Sequence, residues 1–357
     1  MAIDKSIESL LNQDEFEMGP NGLTVVEDQE IPDDSLVTEM DDGSMVVDFD
    51  PMAEEGMGDD SFESNLAEFI DENELSALAS DLVSQFESDK ESRSDWEQTY
   101  EQGLDQLGLE IEDRTTPWAG ACGVFHPMLS EAVVRFQSQT IQEIIPAQGP
   151  VKTHVWGKFD EEKAAQAKRV QEYLNYQLIE VMTEYRSETE KLLFSLPLAG
   201  SAFRKIYFDP SLGRPTSMFV PAEDFVVAYD EADLGQSERY THVMTRSANQ
   251  IKKLQVSGFY RDVELVSSNV EDNSITEKYN EIGGVSPSYE HGERHQLLEM
   301  HVDVDLPGYE DEDGVALPYV ITIDKGNNDI LSIYRNWDEE DVHRQKLQHF
   351  VHYGYVP

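Results

Sequence analysis

A chain of 357 residues with 39% hydrophobic positions, 15 Tyr and 15 Phe carries enough apolar material for one large or two modest cores. Its 73 acidic residues against 26 basic ones give a formal charge of -47, which excludes gripping a phosphate backbone through the overall field, because such binding starts from clustered Lys and Arg. The single Cys122 excludes an intramolecular disulfide framework. With no run of roughly 18 apolar residues and no signal-peptide core in MAIDKSIESL, the expectation is a soluble protein made in a reducing cytoplasm, with no membrane partner.

Residues 1 to 80 hold 24 Asp or Glu and one Lys, about half of the net charge in under a quarter of the chain. Charge repulsion and sparse aromatic content predict an acidic, mostly disordered arm over 1–73. Beyond it, Leu75, Leu78, Leu82 and Phe86, then Trp96, Tyr100, Leu104 and Leu107, recur at helical spacing and predict one or two amphipathic helices from Glu74 to Leu107. The segment from Arg114 to Pro127, with two prolines and two glycines, reads as an ordered loop that packs Trp118 and Phe125 against the next helix. That helix carries Leu129, Val133, Phe136, Ile141 and Ile144 on one stripe until Pro146 stops it. Alternation over Val151 to Trp156 predicts a strand.

Asp160 is a plausible N-cap for a long helix to about Tyr185, with Val170, Leu174, Leu178 and Val181 on one face. A capping box at Ser187 to Glu190 predicts a second helix running into Pro197 and Gly200. The period then changes to two: Phe203, Lys205 and Tyr207 alternate with Arg204 and Ile206, and Asp209, Pro210 and Gly213 offer a turn back into Met218 to Val220. Further strands are expected at Phe225 to Ala228 and Tyr240 to Thr245. A short helix should start at the Ser247 to Gln250 capping box and close near Gly258. Residues 261–294, rich in Ser, Asn, Glu and Gly, are predicted as a loop or linker. Strands at His295 to Asp305, Pro318 to Asp324 and Ile330 to Tyr334, a polar helix around Asp338 to Gln348 and a strand at Phe350 to Tyr353 complete a β-rich segment, 295–357. The fold class is α+β, with a helical and strand body over 74–260.

Chemistry-bearing constellations are weak. Cys122 and His126 lie four apart, but zinc needs about four ligands and nucleophilic catalysis needs an orienting partner. The run from Glu310 to Gly314 resembles a calcium loop in composition, yet counting back from Gly314 puts Tyr309 where an Asp should stand. His349, His352 and the Asp338 to Asp341 run with His343 read as capping charge. The mild basic clusters, Lys163 with Lys168 and Arg169, and Lys252 with Lys253, read as solvated helix faces. With no phosphate-binding glycine loop, nucleophile elbow or His-Glu-x-x-His run, the expectation is a protein that is not an enzyme, with no cofactor, metal or catalytic residue.

Several blocks occur in one order: Pro117-Trp118-Ala-Gly120-Ala with His126-Pro127, then Ile145-Pro-Ala-Gln-Gly149-Pro150-Val151, Leu196-Pro-Leu-Ala-Gly200-Ser-Ala-Phe203 and Val220-Pro-Ala-Glu223-Asp224-Phe-Val-Val227. Arg239 with His242, the stretch Val256-Ser-Gly258-Phe-Tyr-Arg261 and Phe350-Val-His352-Tyr353 follow. Together, from about residue 96 onward, they resemble the early region of portal (head-to-tail connector) proteins of podovirus-like and marine tailed bacteriophages. The resemblance implies a structural subunit of a cyclic, typically dodecameric ring at one capsid vertex, through which DNA is packaged and ejected. It implies contacts with further copies of the chain, the terminase, capsid and scaffold proteins and head-completion or tail proteins. DNA would pass through without specific binding. The location would be the virion, and the host cytoplasm during assembly. This chain would supply mainly the mixed helix and strand wing, cut before the stem and clip. The charge alone suggests a different class, an acidic DNA mimic that inhibits a DNA-handling enzyme. A hydrolase built on Cys122 or the acidic clusters ranks last, having no accompanying base or oxyanion donors.

Overall fold

Asn65 marks where the folded body begins. A computed structural model of the chain describes residues 37–39, 45–47, 61–107, 115–123, 126–158, 160–209, 212–228, 231, 233–265, 273–282, 294–311 and 314–355. The chain divides into two compact units, residues 1–60 and 61–357. In the first, β1 (Val37–Glu39) pairs antiparallel with β2 (Met45–Val47), with Val37 opposite Val47. Short runs with β-branched residues favour strand pairing locally even where the average composition is acidic.

The second unit starts twelve residues before the expected boundary at 73, because residues 61–70 are bound to a sheet edge. The Asn65 side chain donates to Leu331 O at 3.1 Å and accepts from Ile333 N at 2.9 Å and Ala67 N at 3.2 Å, so it closes backbone groups that an edge strand leaves open. Leu66 and Ala67 then lie fully buried. The signal was a single amide, invisible to periodicity.

Helix α1 (Glu72–Ser92) is capped by Asp71 and buries Leu75, Ala79, Leu82 and Phe86. Arg93 breaks it, and α2 (Ser94–Leu107) follows with Tyr100 and Leu104 inside. Helix α3 (Met128–Ile144), α4 (Glu161–Tyr176) with a π-helical turn at Gln177–Val181, and α5 (Tyr185–Ala199) lead into the strands. Gly200 stops α5 at φ +78°, a left-handed conformation that favours glycine, with its N–H donating to Leu196 O. Strands β3 (Ser201–Asp209) and β4 (Arg214–Pro221) form a hairpin, and β10 (Phe350–Gly354) joins on the other side of β3. The second sheet runs β5 (Phe225–Val227), β6 (Arg239–Ser247), β7 (Arg294–Val304), β8 (Leu317–Asp324) and β9 (Asp329–Arg335), antiparallel throughout. Between β6 and β7 stand α6 (Ala248–Val256) and α7 (Ser274–Ile282). The fold is α+β. Among the described residues no helix is long and apolar enough to cross a membrane.

One face of the five-stranded sheet, with Leu298, Met300, Ile321 and Ile333, packs on the α1 stripe and forms the main core. A second core joins α2, both sheets and α7 through Tyr100, Phe203, Phe225, Tyr240 and Phe350. A smaller one sets Ile141 of α3 against Leu192, Leu193 and Leu196 of α5.

Four further expectations are corrected. The loop assigned to 261–294 contains α7, because Ile275 is buried and the Tyr279 hydroxyl meets that of Tyr100 at 2.7 Å; residues 266–272 and 283–293 lie outside the described ones. Val151 to Trp156 forms no strand: Val151 N donates to Asn175 Oδ1 at 2.9 Å and Thr153 N to Gln171 Oε1 at 3.2 Å, so α4 side chains take the place of a ladder partner. Ser187 does not cap a helix, because α5 has already begun at Tyr185 and the Ser187 hydroxyl donates back to Glu184 O. The same helix runs through Pro197 and ends at Gly200, as its sequence places it. Residues 338–348 form turns, not a helix, since Asp338 and Asp341 accept backbone N–H groups two residues ahead and stabilise local bends instead. The Ser247–Gln250 capping box, in contrast, forms with both of its hydrogen bonds.

Leu82 fills the seam between α1 and the sheet with no exposure. Leu82→Ala should lower unfolding stability by about 2–5 kcal/mol in urea titrations, whereas Val256→Ala, at an exposed site, should change it by under about 0.5 kcal/mol.

Candidate functional site

Three features stand out once the residues are placed: a buried ionic junction, a braced segment beside a cavity, and a projecting arm. The junction lies where the two sheets meet. On the face of the five-stranded sheet opposite α1, His242, Glu299, Thr322 and Ser332 stand in register across four neighbouring strands, all buried. From β3, Lys205 reaches across to this row and donates to both Glu299 carboxylate oxygens at 2.5 Å. His301 Nε2–H donates to Glu299 Oε1 at 3.0 Å, and His349 Nε2–H donates to Asn336 Oδ1 at 2.9 Å.

Electrostatics fix the charge states. Burial alone would raise the Glu299 carboxyl, but the Lys205 ammonium and the His301 hydrogen bond hold it far below the usual range. Burial pushes His242 down to about 4 against the pull of Glu299, and it pushes His349 down to about 4 with help from the neighbouring His301 and the Lys205 ammonium. Burial likewise lowers His301. The junction is thus one ion pair among neutral imidazoles.

The brace is built from Arg93, at the break between α1 and α2. Its guanidinium donates to Ala222 O at 2.9 Å, Phe225 O at 2.8 Å, Glu223 O at 2.7 Å and Glu97 Oε1 at 3.0 Å. One turn earlier, Asp89 accepts two hydrogen bonds from Arg239, at 2.7 and 2.8 Å. The two arginines pin the Pro221 to Phe225 segment and β6 to the helical elbow. Burial raises Glu223 to about 7, and raises Asp224 to about 6 against the pull of Arg93. Beside this brace opens a cavity of about 210 Å³ lined by Trp96, Phe203, Phe225, Val227 and Leu234, with Glu231.

The arm spans α3, the extended residues 151–157, α4 and the π turn. No residue of α4 or of the π turn is buried. Val170, Tyr173, Leu174, Tyr176 and Ile179 are exposed, and Trp156 is 93% exposed. Gly149, at φ +93°, lets the chain turn tightly where any side chain would collide with Asn175.

Comparison with known proteins adds no relative: no protein-family model matches the chain, and no curated protein matches it.

The residues that carry the sequence resemblance are spread across these features. Glu223 and Asp224 lie on the braced segment, with Gly200 at the turn into β3. His352 lines the cavity, its ring stacked 4.9 Å from that of Phe203, and Tyr353 lies next to it on β10, 5.9 Å from the Arg204 guanidinium. His242 belongs to the buried junction. Gly149 and Pro150 form the arm's turn. Pro117, Trp118, Gly120, His126 and Pro127 join none of these. Pro117 follows a cis peptide bond, and Trp118 is 67% exposed, so it does not pack against α3; Phe125 lies outside the described residues. Cys122 and His126 are both exposed. Gly258, at φ +73°, closes α6. Lys205, Glu299, His301, Arg93 and Asp89 escaped sequence reading. A cation between Phe203 and Tyr207 on one strand face was the available signal, since an apolar face seldom carries an unpaired charge.

Because burial holds folded His242 and His349 at about 4, well below free imidazole, the unfolded chain binds their protons first. Stability should therefore fall as pH drops from about 6.5 to about 4, and the His242 shift alone corresponds to roughly 3 kcal/mol. His242→Gln should flatten that part of a stability-against-pH curve measured by denaturant unfolding. Lys205→Met should cost about 3–5 kcal/mol at pH 7 by leaving Glu299 buried without its cation, and Lys205→Met with Glu299→Leu should recover most of that loss.

Proposed function

We propose that the chain is a structural subunit of a tailed-bacteriophage portal ring, the conduit at the capsid vertex through which DNA is packaged and ejected. The observation that carries this reading is the arm: a π-terminated helix without one buried residue, displaying Val170, Tyr173, Leu174, Tyr176 and Ile179. Large apolar side chains grouped on a surface mark an interaction site, and a surface repeated on every copy suits closed cyclic assembly. The ordered sequence blocks that resemble portal proteins support it independently, and so does the charge. A strongly negative conduit lets a polyanion slide without adhering. In this role terminase, capsid and tail proteins are the partners, and the ionic junction and the Arg93 brace keep the wing rigid under load.

Negative-stain microscopy with mass photometry on the 357-residue chain tests the reading. Rings with a central hole and a mass near a dozen subunits are expected. A single monomeric species across salt and protein concentration would overturn it.

A further inference from the structure

The exposed indole at the arm's tip and the apolar cavity beside Arg93 are two halves of one contact. Trp156 is 93% exposed, so it does not occupy the cavity of its own chain. The segment leading to it is tied to α4: Val151 pairs with Asn175 in both directions at 2.9 and 3.1 Å, and the Thr153 hydroxyl donates to Ala167 O at 2.9 Å. Gly157, at φ +93°, then reverses the chain toward the Asp160 cap of α4. A large aromatic side chain left so open to solvent is an efficient anchor for an apolar site on a partner.

The cavity complements it in size and chemistry. Apolar cavities of roughly 150 Å³ accept a benzene ring, so 210 Å³ has room for an indole, and Trp96, Phe203, Phe225, Val227 and Leu234 give it aromatic and aliphatic walls. Charge agrees as well. Between residues 151 and 170 stand five Lys or Arg against three Asp or Glu, a positive stretch in a chain of net charge -47. Lys152 and Lys158 flank the indole. Glu231 lines the cavity, and the Arg93 guanidinium there is already committed to Glu97 and three backbone carbonyls.

We propose that Trp156 of one copy of this chain seats in the Trp96–Phe203–Leu234 cavity of the next, a head-to-tail contact that propagates around a ring. The inference rests on the assembly reading above and names the surface that performs it. A knob on one side and a socket on another make a heterologous interface, which closes into a ring when the rotation between copies is right. Lys152 and Lys158 beside the indole, set against Glu231 at the cavity, offset part of the repulsion between like-charged copies.

The test uses the 357-residue chain as wild type, as Trp156→Ala, and as Lys158→Cys with Glu231→Cys in a Cys122→Ser background, which keeps the indole in place. Mass photometry over a concentration series should show the assembly midpoint of Trp156→Ala raised about thirty-fold or more, the loss typical of a central aromatic anchor. An unchanged thermal melt would show that the fold is intact. The double-cysteine variant should give ladders of covalent multimers without reductant, which either cysteine alone does not. A wild-type mass distribution for Trp156→Ala overturns this inference and leaves the ring reading standing. Weakened assembly with no cross-linked ladder overturns the cavity as the socket. A wild type that stays monomeric at every concentration overturns both.

Discussion

The ion pair between Lys205 and Glu299 is the constraint on which the arrangement of the two sheets depends. Lys205 belongs to the three-stranded sheet and Glu299 to the centre of the five-stranded one, so the pair fixes their relative position by direction as well as by packing. A charge buried without its partner costs several kcal/mol, which makes any arrangement that separates the two unfavourable. The neutral imidazoles of His242, His301 and His349 complete the layer. Phe350 packs against it, with its ring 5.4 to 5.5 Å from those of His301 and His242.

The helical elbow shows the same logic with hydrogen bonds in place of apolar contact. Arg93 satisfies three carbonyls of the Ala222 to Phe225 segment, and Asp89 grips Arg239, so the region between β4 and β6 is held by charged groups whose bonding capacity is nearly filled. Filled polar networks are rigid because each alternative leaves a buried donor or acceptor open. The cavity inherits that rigidity, since Trp96 lies one turn beyond Arg93 and donates to Ala199 O at 3.0 Å.

The arm contrasts with this body. It is attached through the apolar packing of α3 against α5 and braced internally by side-chain hydrogen bonds along α4, while no residue of α4 is buried. In the assembly we propose, the apolar cavity and the exposed arm would repeat one contact between identical copies. The acidity of the chain acts in the opposite sense and sets how much apolar burial such a contact needs.

Much was legible from sequence where a signal was local. The α1 stripe from Leu75 to Phe86, the Ser247 capping box, the β3–β4 hairpin and the strands around Leu298, Ile321 and Ile333 follow from period and cap chemistry. The acidic balance and the lone Cys122 are likewise fixed by sequence. Only the tertiary structure decided which residues meet at distance. Asn65 closes a strand edge more than 260 residues away, α7 forms inside an apparent linker because Ile275 and Tyr279 find α2, and Val151 lies along α4 because Asn175 supplies its hydrogen bonds. The junction was hidden for the same reason: Lys205 and Glu299 lie 94 positions apart, and neither charge is stable inside the protein until the fold brings the other to it.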